Sequence, residues 1–314
     1  MRRIRFVAAL AAASLAPIPA FAQSASPSVV RIATVPIDSG MQVRYAQELG
    51  FFTKAGLDVD VQTITNGSQI TAAVIAGSID IGFSNLLSVV QAYERGIPVI
   101  ALFPGGLYTA DGPNGGLVVA KDSPITTAKD LNGKTIGIST LGNMTQLAPI
   151  AWMDKHGGDY KSVKWIEIPA FPALQAAVEQ HRIDAAFLSD PIFEAAKQSG
   201  RLLSDAADAI ALRFVTATWF STKQWAEQHP DLVARFTTAM QAASHWANTH
   251  PRDAAPLIAK YTQVPLDVVA REPATTFGEG LLLSDFKPLL EAAVKYGFVP
   301  RSVALDDFVY RPAR

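Results

Sequence analysis

The chain has 314 residues, 49% of them hydrophobic, with 27 Lys and Arg against 28 Asp and Glu, five His and no Cys. That length and apolar content suit a compact protein of two ordinary-sized lobes, and the near-neutral charge argues against the clustered basic face that nucleic acid requires. Without Cys there is no disulfide, no thiol nucleophile and no thiolate metal site.

Arg2, Arg3 and Arg5 precede an apolar run over 6–16, and Ala20-Phe21-Ala22 places small residues two apart. This predicts a secretory signal peptide over residues 1–22, cut before Gln23. The run is 11 residues, against the ~20 that span a bilayer. With no Cys to carry a lipid anchor, the expected product is a soluble protein exported to a periplasm. Cleavage removes three Arg and no acid, so the charge falls to 24 − 28 = −4.

The next segments alternate. RIATV (31–35) reads as a strand, and Asp38-Ser39 suits the cap of a helix over 41–56 ending at Gly56. LDVDVQTI (57–64) alternates as a strand, Asn66-Gly67-Ser68 opens a second helix, IDIGFS (79–84) is a buried strand, and a third helix runs to Gly96. A Gly-rich connection over 105–116 leads to GLVVAKD, a strand entering a second unit. There KTIGIS, a helix over about 145–156, VKWIEI, ALQAAVEQHR, AAFLS and PIFEAAKQSG repeat the order. ALRFVTATWFST (211–222) reads as one returning strand, and helices separated by first-turn prolines fill the rest. Strands alternating with helices of this length predict an α/β protein with parallel sheets covered on both faces.

The two units resemble each other in sequence. Displaced by 104 positions, residues 31–100 overlay 135–204 without a gap, with 12 identities in 70 positions. Seven lie in the stretch that pairs 64–83 with 168–187: Ile64/Ile168, Ala72/Ala176, Ala73/Ala177, Val74/Val178, Ile79/Ile183, Asp80/Asp184 and Phe83/Phe187. Internal similarity of this kind reports repeated architecture, and two facing lobes make a cleft suited to a ligand. Lobe 1 is expected to comprise 23–113 with 219–314, and lobe 2 to comprise 114–218. Crossings near 112–116 and 216–220 would form a hinge that closes around a ligand.

GSQITAAVIAGSIDIGFSNLLSVVQAYERGIPV, GKTIGISTLGNMTQLAPIAWMDKHG, RIDAAFLSDP and WFSTKQWAEQHPDLVARF together resemble the substrate-binding proteins of ABC transporters, in the sulfonate, taurine, nitrate and thiamine-precursor group. The resemblance covers nearly the whole chain after the signal peptide. It implies a type II periplasmic-binding-protein fold, with two α/β lobes joined by a double-crossover hinge. It further implies a monomer that delivers a small organic ligand to the membrane subunits of an ABC permease. Pyrimidine synthases of thiamine biosynthesis share this architecture but carry a cysteine-rich motif and a reactive histidine. A pyrimidine-binding receptor is the nearer alternative, and a synthase the more distant one.

In open parallel sheets ligands bind beyond the carboxyl ends of the strands. That rule selects the turns 36–42, 65–68, 84–86, 140–145, 170–172 and 188–191. Their side chains include Asp38, Gln42, Asn66, Ser68, Ser84, Asn85, Thr140, Asn143, Thr145, Phe171 and Asp190, and the aromatic residues Tyr108 and Trp219 fall nearby. Asp38, Asn66, Ser84 and Asn143 could equally serve as helix caps. None of the six turns holds Lys or Arg, so an anion would be held by amides, hydroxyls and helix ends. An organic anion with an apolar or aromatic part is expected, while Asp38 and Asp190 leave room for an amine. No cofactor or metal is expected. Gly133-Lys134-Thr135 lacks the first glycine of a phosphate loop and enters a strand, and no His falls in the cleft turns.

Overall fold

The computed structural model describes residues 29–112, 115–189, 192–271, 273–301 and 303–311. The predicted signal peptide and Asp190 lie outside the described residues. The first unit runs β1 (Val30–Thr34), α1 (Gln42–Glu48), α2 (Phe51–Lys54), β2 (Val59–Thr63), α3 (Gly67–Ile75), β3 (Ile81–Asn85), α4 (Leu86–Glu94) and β4 (Val99–Pro104). The helix predicted over 41–56 is two, because Gly50 takes φ 70° between them, a conformation glycine adopts without strain. Next come β5 (Gly106–Thr109) and β6 (Gly115–Ala120).

The second unit contains β7 (Thr135–Ile138), α5 (Met144–Lys155), β8 (Lys164–Glu167), α6 (Phe171–Glu179), β9 (Ala185–Ser189), α7 (Ile192–Ser199) and β10 (Gly200–Ser204). It is followed by β11 (Arg213–Val215) and β12 (Ala217–Thr222). The tail holds α8 (Lys223–Gln228), α9 (Pro230–Thr249), α10 (Pro251–Thr262), α11 (Leu266–Val269), β13 (Thr276–Phe277), α12 (Leu283–Lys295) and α13 (Leu305–Phe308).

Two five-stranded sheets result, in the orders β2-β1-β3-β12-β4 and β10-β6-β9-β7-β8. Read from opposite ends, the two orders are the same. The sequence displacement of 104 is kept in the pairing: Ile32 faces Ile81 and Ile136 faces Ala185, while Arg31 faces Asp60 and Thr135 faces Lys164. The shared aspartates do the same work in each copy. Asp80 Oδ2 accepts from the Arg31 amide at 2.8 Å, and Asp184 Oδ2 accepts from the Thr135 amide at 2.8 Å.

Neither sheet is purely parallel as predicted. β12 runs antiparallel to β3 and β4, and β6 antiparallel to β9 and β10. Each of these strands arrives from the other unit, so it enters its sheet against the direction of the local strands. The single strand predicted over 211–222 is also divided. β11 joins β5 and β13 in a small third sheet, and Thr216 pins the break by donating its amide at 3.0 Å and its hydroxyl at 2.9 Å to the Gly106 carbonyl.

A large apolar core runs beneath the first sheet and continues toward the second, and a smaller one under the second sheet is built on Leu174, Val178, Leu188 and Phe193. Phe236 of α9 stacks on Phe52 of α2 at 6.2 Å. α12 reaches the second unit too: Lys295 Nζ and the Tyr296 hydroxyl both donate to Asp154 of α5, at 2.9 and 2.8 Å.

Candidate functional site

The carboxyl ends of both sheets face a cavity of about 330 Å³, within the range of ~300–1,000 Å³ common for small-ligand sites. From the first unit come Val35 to Ser39 after β1, Thr65 to Ser68 after β2, and Phe83, Ser84, Asn85 and Ser88. The second unit contributes Ser139, Thr140 and Asn143 to Thr145, then Pro169 to Pro172, then Phe187, Ser189 and Ile192. Tyr108, Gly115, Thr216 and Ala217 line it from the connecting strands, and Thr262 and Val264 from the tail. Phe83 and Phe187, identical in the two repeats, are both on its wall.

Three asparagines hold helix ends at the rim. Asn66 Oδ1 accepts from the Ser68 amide at 2.7 Å, Asn85 Oδ1 from the Leu87 amide at 3.0 Å, and Asn143 Oδ1 from the Thr145 amide at 2.8 Å. Each satisfies one donor that a helix start leaves open. α6 begins at the same cavity with Pro172 in its first turn and no side-chain cap. Four helix amino-terminal ends thus point at one space, which favours a partial negative charge there. Asn66 also spans the cavity, its Nδ2 donating to Thr140 Oγ1 at 3.4 Å.

Asp38 supplies the opposite sign. It is 3% exposed and is the one carboxylate among the described lining residues, which include no Lys, Arg or His. It lies in a 3₁₀ turn whose N-cap is Ile37, so it is not itself the N-cap residue. Ser84 is not a cap either. Its Oγ is buried and makes no hydrogen bond among the described residues. Gly67 makes room for it, since a Cβ there would stand 2.7 Å from Ser84 Oγ. Tyr108 stacks on Phe214 at 5.1 Å. Burial, and then the carboxylates of Asp208 and Asp205, push its phenol well above the usual range, so it presents an O–H at neutral pH.

Ten of the expected site residues therefore line the cavity: Asp38, Asn66, Ser68, Ser84, Asn85, Tyr108, Thr140, Asn143, Thr145 and Phe171. Gln42 and Trp219 do not. Both are 0% exposed, and Trp219 Nε1 donates to Gln42 Oε1 at 2.6 Å while Gln42 Nε2 donates to Ser244 Oγ at 2.8 Å. The indole packs between Phe83 and Phe236. This pair locks α1, β12 and α9 together beneath the cavity. Asp190 lies outside the described residues.

Ser139 and Ser88 also line the cavity without having been expected. Ser139 is the last residue before a selected turn, so extending the strand-end rule by one position finds it. Thr262 and Val264 follow from how the tail folds back, which local pattern does not encode.

A family model described as NMT1/THI5 like matches residues 41–254. The 4-amino-5-hydroxymethyl-2-methylpyrimidine phosphate synthase of Candida albicans (strain WO-1) is 26% identical over 221 residues, 65% of this chain and 62% of that protein. The chain thus spans under two-thirds of that relative's length. The taurine-binding periplasmic protein of Escherichia coli (strain K12) is 26% identical over 187 residues, 59% of this chain and 56% of that protein. The solved alkanesulfonate-binding protein SsuA from Xanthomonas axonopodis pv. citri, bound to MOPS, superposes with a TM-score of 0.77 at 18% identity, covering 92% of this chain and 100% of that one. The architecture is the periplasmic-binding-protein fold. Among the described residues no helix is long and apolar enough to cross a membrane. With the family model matched over more than half its length, the chain belongs to the NMT1/THI5-like family.

Proposed function

We propose that this protein is a periplasmic solute receptor that closes two lobes, 23–113 with 219–314 and 114–218, around a small organic ligand and presents it to an ABC permease. The observation that carries the reading is the cavity at the strand ends of both repeats, lined by corresponding turns of each. A ligand touching both sides stabilises the closed form by its differential affinity for that form.

The charges of the lining narrow the ligand. Four helix ends favour an anionic head, while Asp38 opposes a second negative group and favours an amino nitrogen. A small zwitterion, with a sulfonate or carboxylate and an amino group, satisfies both, and Phe171, Phe83 and Phe187 suit an apolar linker or ring. Taurine and MOPS, named with two of the similar proteins, have this make-up. The pyrimidine reading draws on the aromatic walls and on the synthase relatives. Against catalysis of the synthase type stand the absence of Cys from the chain and of His from the described lining residues.

A thermal-shift series tests the reading with taurine, MOPS, propanesulfonate and an aminopyrimidine. A ligand at 100 times its Kd adds about 2.7 kcal/mol of stability. The zwitterions are expected to raise Tm more than propanesulfonate. Asp38→Asn should remove that preference, weakening zwitterion binding roughly 10- to 100-fold, the worth of a charged hydrogen bond. Stabilisation by the aminopyrimidine alone would replace the zwitterion with the pyrimidine reading. Equal response to propanesulfonate and taurine would refute the role given to Asp38.

A further inference from the structure

The tail encloses a second cavity of about 540 Å³, between α9, α10, α11 and the segment leading into β13. Tyr45, Ile258, Val269 and Phe277 make its walls largely apolar. Asp38 lines this cavity as well as the first, and stands as the partition between them. Arg252, Ala270 and Ala274 are exposed, and we take them to mark its mouth.

Two polar features converge on it. Arg252 lies in the first turn of α10, so a guanidinium and the positive end of a 12-residue helix meet at the mouth. Thr275 is 6% exposed, and its Oγ1 is buried with no hydrogen-bond partner among the described residues. A buried hydroxyl left unpaired in a lined cavity is costly unless something that enters the cavity satisfies it.

We propose that this cavity is a second ligand site, for a small amphiphilic carboxylate. The carboxylate takes Arg252, the end of α10 and the Thr275 hydroxyl as partners, and the apolar body lies along Ile258, Val269 and Phe277. Asp38 repels the head from the inner wall, so the ligand enters tail first. The site is separate from the proposed cargo site and does not depend on the identity of the cargo.

Hexanoate is the probe, with uncharged hexanamide as control, followed by amide NMR of the full protein. Saturable shifts at Thr275, Thr276 and Phe277 are expected, with hexanoate binding about tenfold more tightly than hexanamide, the value of one charged contact. Arg252→Ala, at an exposed position, should bring hexanoate down to the level of hexanamide, and the near-isosteric Thr275→Val should weaken it while leaving the thermal shift from the first-cavity ligand intact. Hexanoate shifts confined to Asn143 and Phe171, or equal binding of hexanoate and hexanamide to the unmodified protein, would overturn the proposal.

Discussion

Trp219 and Asn143 separate two kinds of residue expected near the same cleft, Asn143 in the turn after β7 and Trp219 inside β12. Trp219 is fully buried, and its indole N–H is paired to Gln42. Trp219→Ala should therefore cost about 3–5 kcal/mol of stability, the usual loss for a large buried aromatic, and chemical denaturation would measure it. Asn143→Ala removes a cap worth about 1 kcal/mol and a lining group of the cavity, so it should weaken ligand binding in calorimetry with only a small change in Tm. The sequence places Gln42 and Asn143 in strand-end turns and Trp219 near the same cleft. It does not show which way a side chain faces, and burial of Gln42 under β4 depends on α9, which is 200 residues distant. The asparagine caps were legible because a cap acts within three residues of itself.

At the level of elements, the repeat was legible for the same local reason. α3 and α6, and β3 and β9, keep their 104-residue displacement at both ends, since period and capping fix them. The antiparallel β6 and β12, and the small sheet of β5, β11 and β13, were not legible, because partner choice is a long-range property. The start of α3 shows how an element serves the site. Gly67 occupies its first turn beside Ser84. Alanine there improves helix propensity, by at most ~0.5–1 kcal/mol, but its Cβ displaces the Ser84 hydroxyl. Gly67→Ala is expected to leave Tm within about two degrees of the unmodified protein and to reduce the ligand-induced shift. An undiminished ligand shift would remove Ser84 from the site.

Across the whole molecule, polar bridges tie the two units and the tail together outside the cavity. Gln91 of α4 donates to the Gly142 carbonyl at 2.7 Å and to that of Phe298 at 3.2 Å, and Asp154 joins α5 to Lys295 and Tyr296. Hydrogen bonds from Lys295 and then Tyr296 hold the Asp154 carboxyl below the usual carboxylate range. A depressed carboxyl contributes stability above its unfolded pKa and loses it as pH falls through the folded value. The acid limb of a Tm–pH profile should accordingly be less steep in Asp154→Asn, with little difference between the two proteins' slopes near neutrality. An unchanged acid limb would show that this bridge does not contribute to acid stability.

The exchange of β6 and β12 between the sheets also sets an order in time. β12 fills the place between β3 and β4, so the first sheet stays open until residue 222 has left the ribosome, although its other four strands are complete by residue 104. Long-range pairing of this kind is slow to form. A nascent chain shorter than that carries an unfilled gap in its first sheet and should remain protease-sensitive. A fragment ending at residue 215 holds all five strands of the second sheet but lacks β12, so it is expected to lose the first unit's cooperative unfolding transition. Were the chain exported as proposed above, such a delay would keep its first unit unclosed until late in synthesis.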